Sequence, residues 1–461
     1  MMMQLSQAAK AVSGSLRGAD APFDGVCTDS RAIARGCLFV ALKGERYDGH
    51  AFVPQARTDG AVGAMVDSAE AGALGQAAPL ITVEDTRGAL GRLAAHWRGR
   101  FDIPLVGVVG SNGKTTVKEM TAAILRDALG DAATLATAGN LNNDIGLPLT
   151  LLRLSGDHRA AVIEIGMNHR GETALLAAIA KPTVGIINNA QREHQEFMRS
   201  VEDVAEEHAA LADALPRGGC LVLNADDAFA PLWRAHAARA GAQVRDFGVE
   251  AEASVRASCR LEAFASEMVL RTPEGETRFT LPLPGLHNVR NALAAAAAAT
   301  AAGAELESVA RALSVFSGVR GRSQRTASHT GAVVIDDSYN ANPESVRAAI
   351  DVLAALPAPT VLVLGDMGEV GAQGPEFHRE IGAYAKSRGI SALLGLGELV
   401  KHAVDAFGTG SAHASSLDDL LALVMREDRR GTTLLVKGSR FMRMERVVSA
   451  LVGTPSPGAH G

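Results

Sequence analysis

The chain has 461 residues, 47% hydrophobic and 21% charged, an ordinary balance for packed cores spread over about three domains. A net charge of −6 offers no basic footprint for nucleic acid, and the longest apolar run, residues 292–302, is Ala-rich and too short to insert across a membrane. Residues 1–10 lack the charged-then-apolar layout of a signal peptide, and the four cysteines (Cys27, Cys37, Cys220, Cys259) are scattered without metal-ligand spacing, so a cytoplasmic protein with reduced, buried thiols is expected.

Residues 1–85 read as a small α/β domain. Its apolar runs Cys37-Leu38-Phe39-Val40-Ala41-Leu42 and Gly63-Ala64-Met65-Val66 predict strands flanking a polar, Gly-rich segment at 43–50, and no catalytic constellation emerges there. Residues 86–318 form a second block. The apolar run Leu105-Val106-Gly107-Val108-Val109 leads into Gly110-Ser111-Asn112-Gly113-Lys114-Thr115-Thr116, which opens a helical pattern over 117–129. A buried strand, a glycine-bearing turn and a helix N-terminus make a phosphate cradle. Backbone N–H groups point at the anion, Lys114 supplies a mobile positive charge, and the Thr115 hydroxyl can ligate Mg²⁺. The general P-loop pattern has a glycine where this chain has Val108, so the loop is a variant whose first glycine is Gly110.

Further apolar runs at 160–165, 183–187 and 220–223 have the pattern of parallel strands buried on both faces. Residues 251–280 read as antiparallel strands with a turn at Thr272-Pro273-Glu274-Gly275, and a long Ala-rich helix from about Val289 closes the block. Residues 319–461 bring their own strand set, at 332–335, 360–364, 392–396 and 432–436, with helical segments between. The tail at 454–461, rich in Pro, Gly and Ser, reads as frayed. The fold class is therefore α/β in three domains: a small N-terminal α/β domain, a central P-loop domain built on a doubly wound parallel sheet, and a C-terminal Rossmann-like domain.

In open parallel sheets ligands gather at the carboxyl ends of the strands. That rule selects Glu164, Asn188, Asn189 and Asn224 as residues facing a nucleotide. A carboxylate at such a position beside a phosphate loop suits direct or water-mediated Mg²⁺ ligation, although a capping or solvent-facing acid has the same local sequence. His194 follows the next strand, and by itself is as well explained by a surface or hydrogen-bonded imidazole as by a ligand. In the third block, Asp336-Asp337-Ser338-Tyr339-Asn340-Ala341-Asn342-Pro343 again follows an apolar strand. Asn342-Pro343 is a helix start, but two acids with Tyr and Asn exceed what a cap requires. Gly365-Asp366-Met367-Gly368-Glu369 and Lys437-Gly438-Ser439-Arg440 repeat the strand-end pattern. Acids and bases thus converge on one edge of the third domain, which is expected to close over phosphates held by the second.

Taken together, the phosphate loop, Gly139-Asn140-Leu141-Asn142-Asn143-Asp144-Ile145-Gly146, Glu164-Ile165-Gly166-Met167-Asn168-His169, Leu286-His287-Asn288-Val289-Arg290-Asn291-Ala292-Leu293 and the Asp336–Pro343 octapeptide resemble the Mur ligases, as do Thr28-Asp29-Ser30-Arg31 and Gly44-Glu45-Arg46-Tyr47-Asp48-Gly49-His50. The resemblance holds in order from about residue 26 to 450. It is strongest to the branch that adds D-alanyl-D-alanine to UDP-MurNAc-tripeptide. It implies an ATP- and Mg²⁺-dependent amide ligase, a monomer that takes small-molecule substrates. Gly110, Ser111, Asn112, Gly113, Lys114, Thr115 and Thr116 would hold the ATP phosphates, with Lys114 catalytic on the β/γ-phosphates. Thr115, Glu164 and His194 would bind metal. Asn291 would lie against adenine, Asp337 and Tyr339 would contact the nucleotide from the third domain, and Ser30, Arg31, Asn142 and Asn143 would meet the UDP-sugar peptide. The rivals are another ligase of the superfamily, such as folylpolyglutamate synthase, which would lack the motifs around Asp29 and Asp48, and a nucleotide-regulated binding protein, which would not need the third-domain motifs.

One departure stands out. The family usually has a carbamylated lysine fourteen residues beyond its metal histidine, and here that position is His208, in Glu206-Glu207-His208. Imidazole is a poor ligand for a hard, oxygen-seeking ion. Either Glu206 or Glu207 substitutes, or water and substrate complete the shell.

Overall fold

The computed structural model describes residues 1–45, 47–75 and 79–453 and builds them around three large open sheets, with one further two-stranded pairing of Met3–Gln4 with Pro22–Phe23. The tail at 454–461 and Arg46 of the Gly44–His50 motif lie outside the described residues. In the first sheet, strands Gly25–Cys27, Cys37–Val40, Gly63–Asp67 and Leu80–Val83 run parallel, and Ser15–Arg17 adds antiparallel to the last. Helix Thr86–Arg98, capped by Asp85 through the N–H groups of Arg87 and Gly88, leaves this sheet and packs on helices of the next one. All four cysteines are free thiols, but of these Cys37 alone is buried; the other three are half-buried, in contrast to the expectation from sequence.

The nine-stranded central sheet positions the site. Strand Leu105–Val109 lies between Ala160–Glu164 on one side and Val184–Ile187 on the other, all parallel. The chain passes from Leu105–Val109 to strands on one side and then returns to build on the other, so the strand order reverses there. A crevice opens at the carboxyl end of such a switch point, and the phosphate loop occupies it. Every residue of Leu105–Val109, Ala160–Glu164 and Val184–Ile187 is buried, as helices on both faces require. On one face the small side chains of Leu286–Ala301 let that helix pack closely against helix Lys114–Leu129. The antiparallel extension Ser266–Thr272 and Gly275–Leu281 turns where the Thr-Pro-Glu-Gly segment predicts.

The third sheet contains the four expected strands plus two short edge strands, Gln324–Ala327 and Ser411–Ala414. Its order is informative. Thr433–Lys437, the last strand in sequence, inserts between Val333–Asp337 and Thr360–Gly365. The register pairs Asp337 with Lys437, and this brings three distant strand ends onto one edge.

Candidate active site

A polar cleft of about 1260 Å³ separates the carboxyl edges of the central and third sheets. Its floor is the phosphate loop. Gly110 and Gly113 have φ of 140° and 83°, and a Cβ on Gly113 would lie 2.4 Å from Asn291 Oδ1, so only glycine fits. The loop is pinned from the neighbouring strand end. Asn189 Oδ1 accepts from the Asn112 N–H at 2.8 Å, and Asn188 Nδ2 and Asn189 Nδ2 donate to the Asn112 carbonyl at 2.8 and 3.0 Å. Helix Lys114–Leu129 starts at Gly113 with no side-chain cap, leaving its positive end open to an anion. Lys114 Nζ donates to the Gly110 carbonyl and, at 3.4 Å, to that of Ser111, and lies 3.3 Å from Glu193 Oε2. Thr115 and Thr116 are buried beneath the loop.

Glu164 ends its strand inside the cleft and is buried. Its Oε1 accepts from Asn142 Nδ2 at 2.7 Å, whereas the buried Oε2 has no partner. A buried carboxylate oxygen without a partner beside a phosphate loop fits a hard cation. His194, at φ 49°, turns the loop so that it and its neighbour Glu193 both line the cleft. Its Nδ1 lies 2.6 Å from Glu369 Oε2 of the third domain, without hydrogen-bond alignment. The Glu369 carboxyl is held below the usual carboxylate range by His194.

Across the cleft, Lys437 Nζ donates to Asp337 Oδ2 at 2.6 Å and to the Asn340 carbonyl at 2.8 Å, while Asp337 Oδ1 accepts from the Ser323 N–H. Tyr339 lies beneath the guanidinium of Arg322, 4.3 Å from the ring centroid. The two edges touch through polar groups. Asn342 Nδ2 donates to Asn112 Oδ1 at 3.0 Å, and Arg192 pairs with Glu344 and, through both terminal nitrogens, with Glu380.

Several expectations need revision. Glu207 is not a metal ligand, because its two oxygens accept from the N–H groups of Gly171 and Thr173 at 2.8 and 2.7 Å and cap helix Glu172–Ala180. Glu206 is half-exposed and lies 3.5 Å from His236 on another face. Neither lines the cleft. Glu193, which sequence reading passed over, stands there instead, with His208 Nε2 donating to its Oε1 at 3.1 Å. Asn143 lines the cleft, but its Oδ1 caps the helix Gly146–Leu151 through the Gly146 N–H. The amide oxygen of Asn291 is taken up by Asn188 Nδ2 at 3.0 Å. Ser30 and Arg31 are not brought to the cleft; Arg31 is exposed on the first domain and paired with Asp29. The sequence signal that could have found Glu193 is its place beside His194 in the loop leaving a strand end.

Comparison with known proteins gives this geometry its context. Residues 22–98 match the Mur ligase family catalytic domain, 108–299 the Mur ligase middle domain, and 321–440 the Mur ligase glutamate ligase domain. The chain is 42% identical over 452 residues to the UDP-N-acetylmuramoyl-tripeptide--D-alanyl-D-alanine ligase of Escherichia coli, covering 97% of this chain and 98% of that one. The chain belongs to the Mur ligase family. Among solved structures, this Mur ligase superposes on MurF from Acinetobacter baumannii with a TM-score of 0.88, 31% identity and coverage of 96% and 97%. Folylpolyglutamate synthase from Mycobacterium tuberculosis shares the fold at a TM-score of 0.66 but only 17% identity, over 80% of this chain and 95% of that one. Among the described residues, no helix of this Mur ligase is long and apolar enough to cross a membrane.

Proposed function

We infer that this chain joins D-alanyl-D-alanine to UDP-MurNAc-tripeptide at the expense of ATP, in peptidoglycan precursor synthesis. The observation that carries this reading is near-full-length identity of 42% to a ligase of that name, with the phosphate loop and the third-domain motifs facing one cleft. A carboxylate resists attack by an amine because oxide is a poor leaving group. Transfer of the ATP γ-phosphoryl to the peptide carboxylate forms an acyl phosphate. The dipeptide amine attacks its carbonyl, the C–O bond to phosphate breaks, phosphate departs with the electron pair, and the nitrogen gives up a proton to water.

The loop's open N–H groups would seat the β- and γ-phosphates, and Lys114 would leave its backbone carbonyls to neutralise charge on the transferring group. Thr115 and the unpartnered oxygen of Glu164 are oxygen donors that fit Mg²⁺, with His194 nearby toward a second ion. Bound there, Mg²⁺ would neutralise phosphate charge. Asp337 and Tyr339 would contact the nucleotide from the third domain, Tyr339 offering a ring face already ordered by Arg322. Asn291 would back the loop near the adenine. Asn142 would orient Glu164 where the peptide approaches, and Asn143 would hold the turn of that loop. In the division proposed from sequence, residues 1–85 would bind the UDP end through Ser30 and the exposed Arg31, 86–318 would hold ATP, and 319–461 would close the cleft. The reading includes a monomeric enzyme, and a reaction consuming ATP and a UDP-linked precursor is expected in the cytoplasm.

The test is phosphate release from ATP. It should require both UDP-MurNAc-tripeptide and D-alanyl-D-alanine; release with folate and glutamate instead, or with neither substrate, would reject the reading. Running the assay with the diaminopimelate and the lysine tripeptide identifies the acceptor.

A further inference from the structure

The Glu193 carboxylate is an unusual acid in this cleft because it is buried, 6% exposed, yet ringed by groups that favour its charged form. Lys114 Nζ stands 3.3 Å from Oε2, His194 Nε2 stands 3.7 Å from the same oxygen, and His208 Nε2 donates to Oε1. Three basic side chains thus converge on one buried carboxylate, and Lys114 is its cation.

Its cation is not fixed. Lys114 is shared between Glu193 and the loop carbonyls, and phosphate oxygens in the loop would draw it away. Glu193 Oε2 would then be a buried negative oxygen facing the cleft with only the His194 imidazole, 3.7 Å away, beside it, an unfavourable state. The two imidazoles cannot replace the lysine equally. His208 is already committed through Nε2 to Oε1, and its buried Nδ1 has no partner. A second observation points to a cation in the same cleft: the buried Oε2 of Glu164, also without a partner. Among the described residues no three His, Cys, Asp or Glu side chains close into a cage. An ion here would therefore share its shell with phosphate oxygens and water, the usual habit of Mg²⁺.

We propose that Glu193, oriented by His208, is a ligand of a divalent cation that takes over from Lys114 when ATP binds and ties this loop to the phosphates. His208 is then a positioning residue, and the negative oxygen comes from the residue beside His194 instead of from the helix that carries His208. The proposal rests on the ligase reading for the presence of ATP phosphates in the cleft.

The experiment titrates Mn²⁺ into the full-length protein holding a non-hydrolysable ATP analogue and UDP-MurNAc-tripeptide, counting free ion by electron paramagnetic resonance. The parent should bind a second Mn²⁺ beyond the one at Thr115 and Glu164. Glu193→Gln should weaken that second ion about 100-fold, and His208→Gln about 10-fold, as removal of an orienting partner does. Nucleotide affinity should change much less. Should Glu193→Gln fail to fold, Glu193→Asp and His208→Gln carry the same test. A merely structural ion pair predicts a lower Tm with Mn²⁺ binding unmoved. Parent-like affinity for both ions in the folded variants, or a single ion in the parent, overturns the proposal. Substrate-dependent phosphate release by the parent tests the ligase reading separately.

Discussion

Two lysines face each other across the cleft, and their settings differ. Lys114, at the central edge, rests on the carbonyls of its own loop and on one oxygen of Glu193. Lys437, at the third-domain edge, is 4% exposed and locked between Asp337 and the Asn340 carbonyl. The loop carbonyls that hold Lys114 are neutral partners that phosphate oxygens outcompete, and its Glu193 contact is long at 3.3 Å, whereas Lys437 sits 2.6 Å from Asp337 in a tight charge-assisted pair that a ligand would have to break. One lysine is held for exchange and the other holds its surroundings. The chemistry belongs to the first, and the shape of the opposite wall to the second.

Substitution should separate these roles. Lys114→Ala is expected to lower kcat by roughly 10³-fold or more, because its charge acts on the transferring phosphoryl, with a smaller loss of Tm than Lys437→Met, because His194 and His208 remain beside the buried Glu193. Near-parent turnover would remove the loop lysine from the mechanism. Lys437→Met should do the reverse, since it leaves the Asp337 carboxylate, 14% exposed, without its cation. A destabilisation of about 3 kcal/mol is expected, read as a lower urea midpoint for the third domain, with KM for ATP rising more than kcat falls. If Lys437→Met lost turnover at unchanged stability, the two lysines would be alike and the contrast would fail.

Sequence legibility follows the same division. The phosphate loop and Glu164 could be read because each is a strand end with its chemistry in contiguous residues. The convergence of Asp337, Glu369 and Lys437 on the cleft could be anticipated from repeated strand ends, but their juxtaposition depends on Thr433–Lys437 inserting between two earlier strands. That is a non-local fact absent from any window of sequence. Glu193 was missed because it lies in a loop, where alternation gives no inward or outward direction. The positive φ of His194 is what turns both residues into the cleft. The reading of Glu206 and Glu207 went wrong for a related reason. Periodicity places them on adjacent faces of helix Val201–Asp213, but it cannot say that the Glu207 face meets the start of helix Glu172–Ala180.

Glu207 extends the contrast to acids. Glu193 is proposed to exchange its cation, whereas Glu207 is saturated by two backbone N–H groups and can exchange nothing. Glu207→Ala should therefore cost about 2 kcal/mol of stability, the range for a buried cap whose donors are left unpaired, and leave Mn²⁺ binding as in the parent. A changed Mn²⁺ titration in a folded Glu207→Ala protein would return this residue to the metal site.

The smallest effect is expected where the two edges meet. Arg192 reaches from the central loop to Glu344 and Glu380 of the third domain, with its guanidinium 4.8 Å from the centroid of the Phe377 ring. These groups are only part-buried, so each pair contributes modestly, but Arg192 lies two residues from His194 and links closure to the site. Arg192→Ala should lower kcat/KM about tenfold through a less populated closed form, with Tm nearly unchanged. The hydrogen bonds and charge of Arg192 hold the Glu380 carboxyl below its ordinary value. The contribution of that pair to closure is therefore complete above the ordinary carboxylate range near 4.5 and is lost as pH falls through the depressed value. Förster transfer between labels on the central and third domains, with nucleotide bound, should report opening at low pH in the parent and little pH response in Arg192→Ala. Equal closure in both proteins at every pH would mean that the Asn112–Asn342 bond and the contacts of His194 and Glu196 with Glu369, with the substrates, hold the edges together without the arginine.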